Sequence, residues 1–223
     1  MRDLCGDDDI HRVDPLLPLE QGYYTGVMEI ATLGWGSLIW CPGSLKVKTK
    51  WRSGGPRLPI EFARISGDGR LTLVIEPGAE DQPTYWALSD FDTIEKAREN
   101  LQEREGITNS SMVHHLTADR QIEGNVVRHR IQEWLGARSD VGAVVWTGLT
   151  SNWREKRGQD LTREDAVQYL KEPESARDQA SATYKRAREY VTNTPAGVQT
   201  AVRRAMQNKG WRDTELSSVL FED

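Results

Sequence analysis

The residues with the clearest chemical potential lie in the stretch 30–40, which reads IATLGWGSLIW. Its first four residues are mostly apolar and rich in β-branched side chains, which predicts a buried strand. The two glycines that follow let a ligand approach main-chain N–H groups without meeting a Cβ atom. A serine hydroxyl lies beside them, and this combination is typical of a small anion or oxyanion site. The predicted binding residues are Gly34, Trp35, Gly36, Ser37 and Leu38, and a tight turn between two core strands is the alternative.

A second chemical group, the carboxylate of Glu105, is predicted at the end of a helix. The spacing of apolar residues predicts a helix over residues 93–104 with Asp92 as its N-cap. Glu105 follows the last apolar residue of the helix by four positions, and Gly106 then ends the helix. Glu105 therefore continues the buried face of the helix, which is formed by Ile94, Ala97 and Leu101.

The predicted position of Glu105 favours a raised pKa. A helix C-terminus carries partial negative charge, which disfavours a carboxylate, and burial disfavours ionisation as well. A glutamate with a raised pKa can accept and return a proton near neutral pH, so it can act as a general base and acid. Glu103 falls on the polar face and is predicted to be solvated. Fraying of the last helical turn into solvent is the alternative for Glu105.

Other nucleophiles and metal ligands are less well placed. The two cysteines, Cys5 and Cys41, do not belong to a spacing typical of a metal site. No histidine or acid is placed by the sequence to activate Cys41 or Ser37 as a nucleophile. The adjacent His114 and His115 point to opposite faces of a strand, so they are not predicted to ligate one metal ion. The sequence predicts neither a metal nor another cofactor.

Two segments of the chain resemble one known family. Residues 34–40, GWGSLIW, resemble the signature loop of the γ-glutamylcyclotransferase superfamily, most nearly that of its glutathione-specific branch. Residues 36–40 match the branch's Gly-Ser-Leu-Ile-Trp, whereas Trp35 stands where the family has tyrosine. Residues 101–106, LQEREG, resemble the Leu-x-x-x-Glu-Gly segment that holds the family's catalytic glutamate. The resemblance implies that Glu105 is the acid/base and that residues 34–38 bind the substrate.

The resemblance also implies a reaction. The α-amine of a γ-glutamyl peptide or amine attacks its own γ-carbonyl group, which releases 5-oxoproline and the attached amine. Because the nucleophile is tethered, holding the substrate in a folded-back pose removes much of the entropic barrier. A non-catalytic binding module on the same fold is the alternative, because fold does not fix function and Trp35 removes a hydroxyl group from the loop. Hydrolysis through Ser37 or Cys41 ranks last.

The rest of the pattern predicts a mixed α+β fold. Short strands separated by turn residues favour a small β-barrel, which the resemblance implies is of the γ-glutamylcyclotransferase type. The predicted strands cover residues 46–51, 58–65, 71–75, 84–88 and 142–149, with a hairpin at 67–69. Further helices are predicted at 122–135, at 163–170 behind a Thr162 cap, at 174–192 and from Pro195 to about Asn208.

Three regions are predicted along the chain. Residues 1–27 contain acidic residues and prolines without periodicity, which is typical of a loosely ordered arm. Residues 28–150 form the predicted cyclotransferase-like domain, and residues 151–223 form a helical C-terminal extension. Packing of these helices on the domain is the favoured interpretation, with binding of a protein partner as the alternative.

Composition and charge limit the classes of function. A length of 223 residues suffices for a full hydrophobic core, and 28% charged residues are typical of a soluble globular protein. A net charge of −5 argues against a general nucleic-acid binder, which needs a basic face. No apolar run approaches the roughly 20 residues needed to span a bilayer, and no signal-peptide pattern is present. The sequence therefore predicts no membrane contact and a cytoplasmic location.

Overall fold

A computed structural model describes residues 29–119, 124–171, 182–216 and 220–222. The predicted N-terminal arm of residues 1–27 lies outside the described residues. Within these ranges, no helix is both long and apolar enough to cross a membrane.

The first sheet has four strands in the order β5-β1-β7-β6. Strand β1 (Ile30–Gly34) pairs parallel with β7 (Ala143–Thr147) and antiparallel with β5 (Tyr85–Leu88), while β6 (Val113–Thr117) is antiparallel to β7. All residues of β1 and β7 are buried, as expected for central strands covered on both faces. Because β1 and β7 are parallel, the loops that follow them leave the sheet at the same edge.

The second sheet has three strands in the order β3-β2-β4. Strand β2 (Leu58–Ile65) forms a hairpin with β3 (Leu71–Ile75) and also pairs with the short β4 (Asp81–Gln82). The hairpin lies at the predicted turn, where Gly69 has a φ of 81° that favours glycine.

The predicted mixed α+β class is confirmed, but in place of the predicted small β-barrel the described residues form no closed barrel. The described residues form two sheets. In the segment of the chain between β1 and β2, only isolated bridges form, such as the one between Arg52 and Trp86. Strand β4 stops before Pro83, which has no N–H group to continue a ladder. Helices rather than further strand pairing bury the second sheet, since three helices contact β2.

Seven helices lie in the part of the chain that the structure describes. They are α1 (Ser37–Trp40), α2 (Ile94–Glu105), α3 (Val126–Gly136), α4 (Trp153–Arg157), α5 (Arg163–Lys171), α6 (Ala182–Thr192) and α7 (Ala201–Gln207). The predicted helix at 163–170 and its Thr162 cap are confirmed, because the Thr162 hydroxyl accepts a bond from the Asp165 N–H.

Three local predictions are wrong. Residues 46–51 form isolated bridges rather than a strand, since Val47 pairs with Ser89 and Trp51 with Phe221. Helix α2 is capped by Thr93 rather than Asp92. Helix α7 begins at Ala201 after a Thr200 cap, not at Pro195.

The helices after residue 150 pack into the main core. Trp153, Tyr190, Val202 and Met206 are each at most 6% exposed and belong to the same apolar cluster as Phe62 of β2. One apolar core therefore includes residues from both sides of the predicted boundary near residue 150.

Arg203 of α7 stabilises the segment 193–200, which connects α6 to α7. Its side chain is fully buried and donates hydrogen bonds to the carbonyl oxygens of Thr194, Pro195 and Val198. An ion pair to Asp213, with 2.9 Å between Nη2 and Oδ1, offsets its charge. Substitution leaves these acceptors without a donor.

We expect Arg203→Met to lower the free energy of unfolding by about 3 kcal/mol, because a buried ion pair loses one partner. Urea denaturation measures this change. The control Lys209→Met removes an exposed charge at the end of α7 and should stay within about 0.5 kcal/mol of wild type. Equal stability of the two variants would contradict the role given to Arg203.

Candidate active site

A pocket of about 680 Å³ opens at the edge of the first sheet where β1 and β7 end. The loop after β1 and the loop after β7 both line it, together with the β2–β3 hairpin and the C-terminal end of α2. Carboxyl ends of neighbouring parallel strands are a common location for ligand sites in α/β sheets. The volume falls in the range of small-molecule sites.

Glu105 is the last residue of α2 and lines this pocket. The helix ends as predicted, because Gly106 adopts a left-handed conformation with a φ of 63°. Only 19% of the Glu105 side chain is exposed, whereas Glu103 is exposed. Burial raises the pKa of Glu105, and the nearby Arg104 guanidinium only partly opposes this rise.

Arg104 joins the helix end to the glycine loop. Its Nη1 donates to Glu105 Oε1 at 2.7 Å, and its Nη2 donates to Ser37 Oγ at 3.0 Å. It also donates to the main-chain oxygens of Cys41 and Pro42. The two segments that resemble the cyclotransferase family, 67 positions apart at the Ser37–Arg104 bond, therefore contact each other directly.

Tyr190 of α6 completes the same corner of the pocket. Its ring is 6% exposed and lies edge-on to Phe62 and Trp40. Its hydroxyl lies beside Ser37 of the glycine loop. Burial and the charge of Glu105 raise the pKa of Tyr190, so the residue is a neutral phenol at neutral pH.

Gly36 is required by the close approach of Tyr190. A Cβ atom added at Gly36 would lie 2.9 Å from the Tyr190 hydroxyl oxygen, which is closer than such contacts allow. A side chain at this position would displace the Tyr190 hydroxyl from the loop.

The predicted binding residues do not all reach the pocket. Trp35, Gly36, Ser37 and Leu38 line it. Gly34 ends β1 and is not among the described lining residues; a Cβ atom there would lie 2.8 Å from the Trp51 ring. Packing against Trp51 explains the glycine at this position.

The pocket is rich in positive charge. Among the residues that the structure describes, its lining includes a single carboxylate, Glu105, and four basic side chains. Arg104 pairs with Glu105, and Arg70 pairs with Asp68, whose pKa falls to about 2. The other two basic side chains, Arg64 and Lys156, form no ion pair within the described residues.

Sequence reasoning missed Tyr190, Arg64 and Lys156 as site residues. Ala187 and Val191 were predicted as the inner face of α6 and are buried, and Tyr190 extends that face at i+3 from Ala187. The predicted Ala180 and Tyr184 of that face lie outside the residues whose side chains are described. The periodicity of the helix alone offers a signal for a buried Tyr190, but not for its contact with Ser37.

Comparison of the chain with models of protein families, with curated proteins and with solved structures finds no match. The resemblance of residues 34–40 and 101–106 to the cyclotransferase family therefore stays a prediction. A function for the site has to be argued from its own residues.

The raised pKa of Glu105 predicts a pH-dependent stability difference. The folded state holds the proton more tightly than the unfolded state, in which the pKa is near 4.5. The free energy of unfolding of wild type should thus fall, relative to Glu105→Gln, as the pH rises from 4.5 through the raised pKa. Urea denaturation between pH 4 and pH 8 measures the difference.

The matched control for this experiment is Glu103→Gln on the exposed side of the same helix turn. Its stability difference from wild type should show no such fall above pH 4.5. Parallel pH curves for wild type and Glu105→Gln would show that the environment of Glu105 does not favour its protonated form.

Proposed function

We propose that the chain is a γ-glutamylcyclotransferase-like enzyme that releases 5-oxoproline from a γ-glutamyl peptide or amine, with Glu105 as general base and acid. The observation that supports this proposal most directly is the contact between the glycine loop and the helix end through Arg104. It brings a partly buried carboxylate with a raised pKa to the loop that the resemblance marks as the substrate-binding segment.

In the proposed reaction, the substrate α-ammonium first gives a proton to the Glu105 carboxylate. The resulting amine attacks the γ-carbonyl carbon, which forms a five-membered ring and a tetrahedral oxyanion. Protonated Glu105 then gives this proton to the leaving nitrogen as the C–N bond breaks, and the ring nitrogen passes its second proton to the released amine, which leaves the neutral lactam. The products are 5-oxoproline and the free amine or peptide, so one carboxylate serves both proton transfers.

Donors around the glycine loop would stabilise the oxyanion. The Tyr190 hydroxyl lies beside Ser37 of the loop, and we assign its O–H as a donor to the substrate oxygen. The raised pKa of Tyr190 keeps that proton in place at neutral pH. Trp35 and Leu38, each 6% exposed, supply the apolar part of the wall that limits access of water.

A non-catalytic ligand-binding module is the second candidate. The observation that favours it is the excess of basic over acidic side chains around the pocket, which would bind an anionic ligand without any turnover. Binding without product release would support this second candidate.

We expect Glu105→Gln to abolish 5-oxoproline release while the fold is kept, because glutamine cannot exchange a proton at neutral pH. The assay uses glutathione, several γ-glutamyl dipeptides and ε-(γ-glutamyl)-lysine as substrates. Glu103→Gln, which removes an exposed carboxylate from the same helix, is the control and should keep wild-type activity. Comparable release by wild type and Glu105→Gln would rule out the proposed mechanism.

We also expect Tyr190→Phe to lower kcat by about tenfold or more, because a donor to the oxyanion is lost. The ring keeps its contacts with Phe62 and Trp40, so the free energy of unfolding should change much less than kcat. Steady-state kinetics and urea denaturation of the same preparation separate the two effects. An unchanged kcat would show that the hydroxyl has no part in the reaction.

A further inference from the structure

Arg64 is directed into the pocket by an irregularity of the second sheet. The register between β2 and β3 shifts between Phe62 and Arg64, so Ala63 is an extra residue on β2. Such a bulge changes which face of the strand the following side chains occupy, and bulges are frequent beside functional sites. Ala63 is buried, whereas Arg64 is partly exposed and lines the pocket.

The loop after β7 is tied to this bulged strand. The Ser151 hydroxyl donates to the Ala63 carbonyl oxygen at 2.7 Å. The Asn152 side chain pairs with both main-chain groups of Ile65, at 2.8 and 2.9 Å. Arg64 Nη1 donates to the Thr150 carbonyl oxygen at 2.9 Å. These bonds fix the start of α4 beside Arg64.

Helix α4 places Lys156 at the same wall. The helix is anchored by Trp153, which is 1% exposed, and Lys156 follows three positions later at the pocket lining. Neither Lys156 nor Arg64 forms an ion pair with a carboxylate in the described parts of the chain. The remaining Arg64 donors, Nε and Nη2, bond no acceptor there either.

We propose that Arg64 and Lys156 form an anion subsite that binds a carboxylate on the leaving part of the substrate. The inference rests on the proposed function, and it narrows the substrate class to γ-glutamyl amino acids or peptides with a free carboxylate. Glu105 must face the substrate α-ammonium group at one end of the ligand. Arg64 and Lys156 line the same pocket from other elements, β2 and α4, and in this proposal they bind the other end of the ligand.

The chemistry of the two side chains suits a carboxylate. A guanidinium with two free donors binds a planar carboxylate through paired hydrogen bonds, and a lysine ammonium adds a flexible point charge. A leaving group that is itself an amine without a carboxylate, such as a lysine side chain in a protein, gains nothing from these cations. The subsite therefore separates peptide substrates from simple γ-glutamyl amines.

The test compares two substrates, γ-glutamyl-alanine and γ-glutamyl-alanine amide, which differ in the terminal carboxylate. Because amidation also changes the basicity of the leaving amine, the readout is how the ratio of kcat/KM values, acid over amide, changes between wild type and variants. The variants are Arg64→Gln, Lys156→Gln and the double variant. We expect the ratio to fall by about tenfold or more in the double variant, as expected for loss of charge-assisted hydrogen bonds.

Arg154→Gln is the matched control, because it removes a positive charge from the same helix outside the pocket lining. Arg154 is 77% exposed and pairs with Asp160. The acid-to-amide ratio of kcat/KM values in Arg154→Gln should therefore equal that of wild type. Lys156 is exposed and forms no ion pair with the described acids, so Lys156→Gln tests the subsite even if Arg64→Gln fails to fold.

Calorimetric binding of the same two compounds separates the subsite from the reaction. If wild type releases 5-oxoproline but the acid-to-amide ratio is the same in every variant, the subsite proposal is wrong and the enzyme proposal stands. If neither compound is turned over, yet wild type binds the acid more tightly and the double variant does not, the subsite stands and the reaction is wrong. If wild type releases no 5-oxoproline and does not bind the acid more tightly than the amide, both the subsite proposal and the enzyme proposal are wrong.

Discussion

The candidate site depends on one side chain, Arg104, because its guanidinium is the link between two segments that are distant in the chain. It donates to the carboxylate of the adjacent Glu105, to the Ser37 hydroxyl and to the carbonyl oxygens that follow α1. Asn100, one turn earlier on α2, adds bonds to Ser44 and Lys46. A planar cation with donors in a fixed fork can hold several acceptors in a set geometry. The position of the glycine loop relative to Glu105 follows from these contacts.

The same pairing explains how Glu105 can be buried and still ionise. Desolvation favours its protonated form, whereas Arg104 stabilises the charged form. Desolvation is the larger effect, so the pKa of Glu105 is raised. An isolated glutamate at this depth would hold its proton far more tightly. A paired but solvent-exposed glutamate would not hold it near neutral pH. The combination raises the pKa of Glu105 above that of an exposed glutamate, while Arg104 limits the rise.

The parts of the site that were predictable from the sequence are local in the chain. Helical spacing placed Glu105 at the end of α2 before Gly106, and the glycines marked the loop. Tyr190, Arg64 and Lys156 reach the pocket through tertiary packing, a β-bulge and loop hydrogen bonds, which leave no periodic signal. The predicted strand at 46–51 failed for the same reason, since these residues alternate like a strand but form only isolated bridges. A strand needs a partner, and periodicity does not reveal one.

Tyr190 comes from the helical region at the end of the chain, yet its hydroxyl lies against a loop near the start of the described residues. During synthesis on a ribosome, β1, the glycine loop and α2 emerge well before α6 does. A nascent chain that already contains Glu105 thus lacks the group that covers Ser37. The pocket takes its final shape only after translation has passed α6, so a ribosome-bound intermediate has an unfinished site.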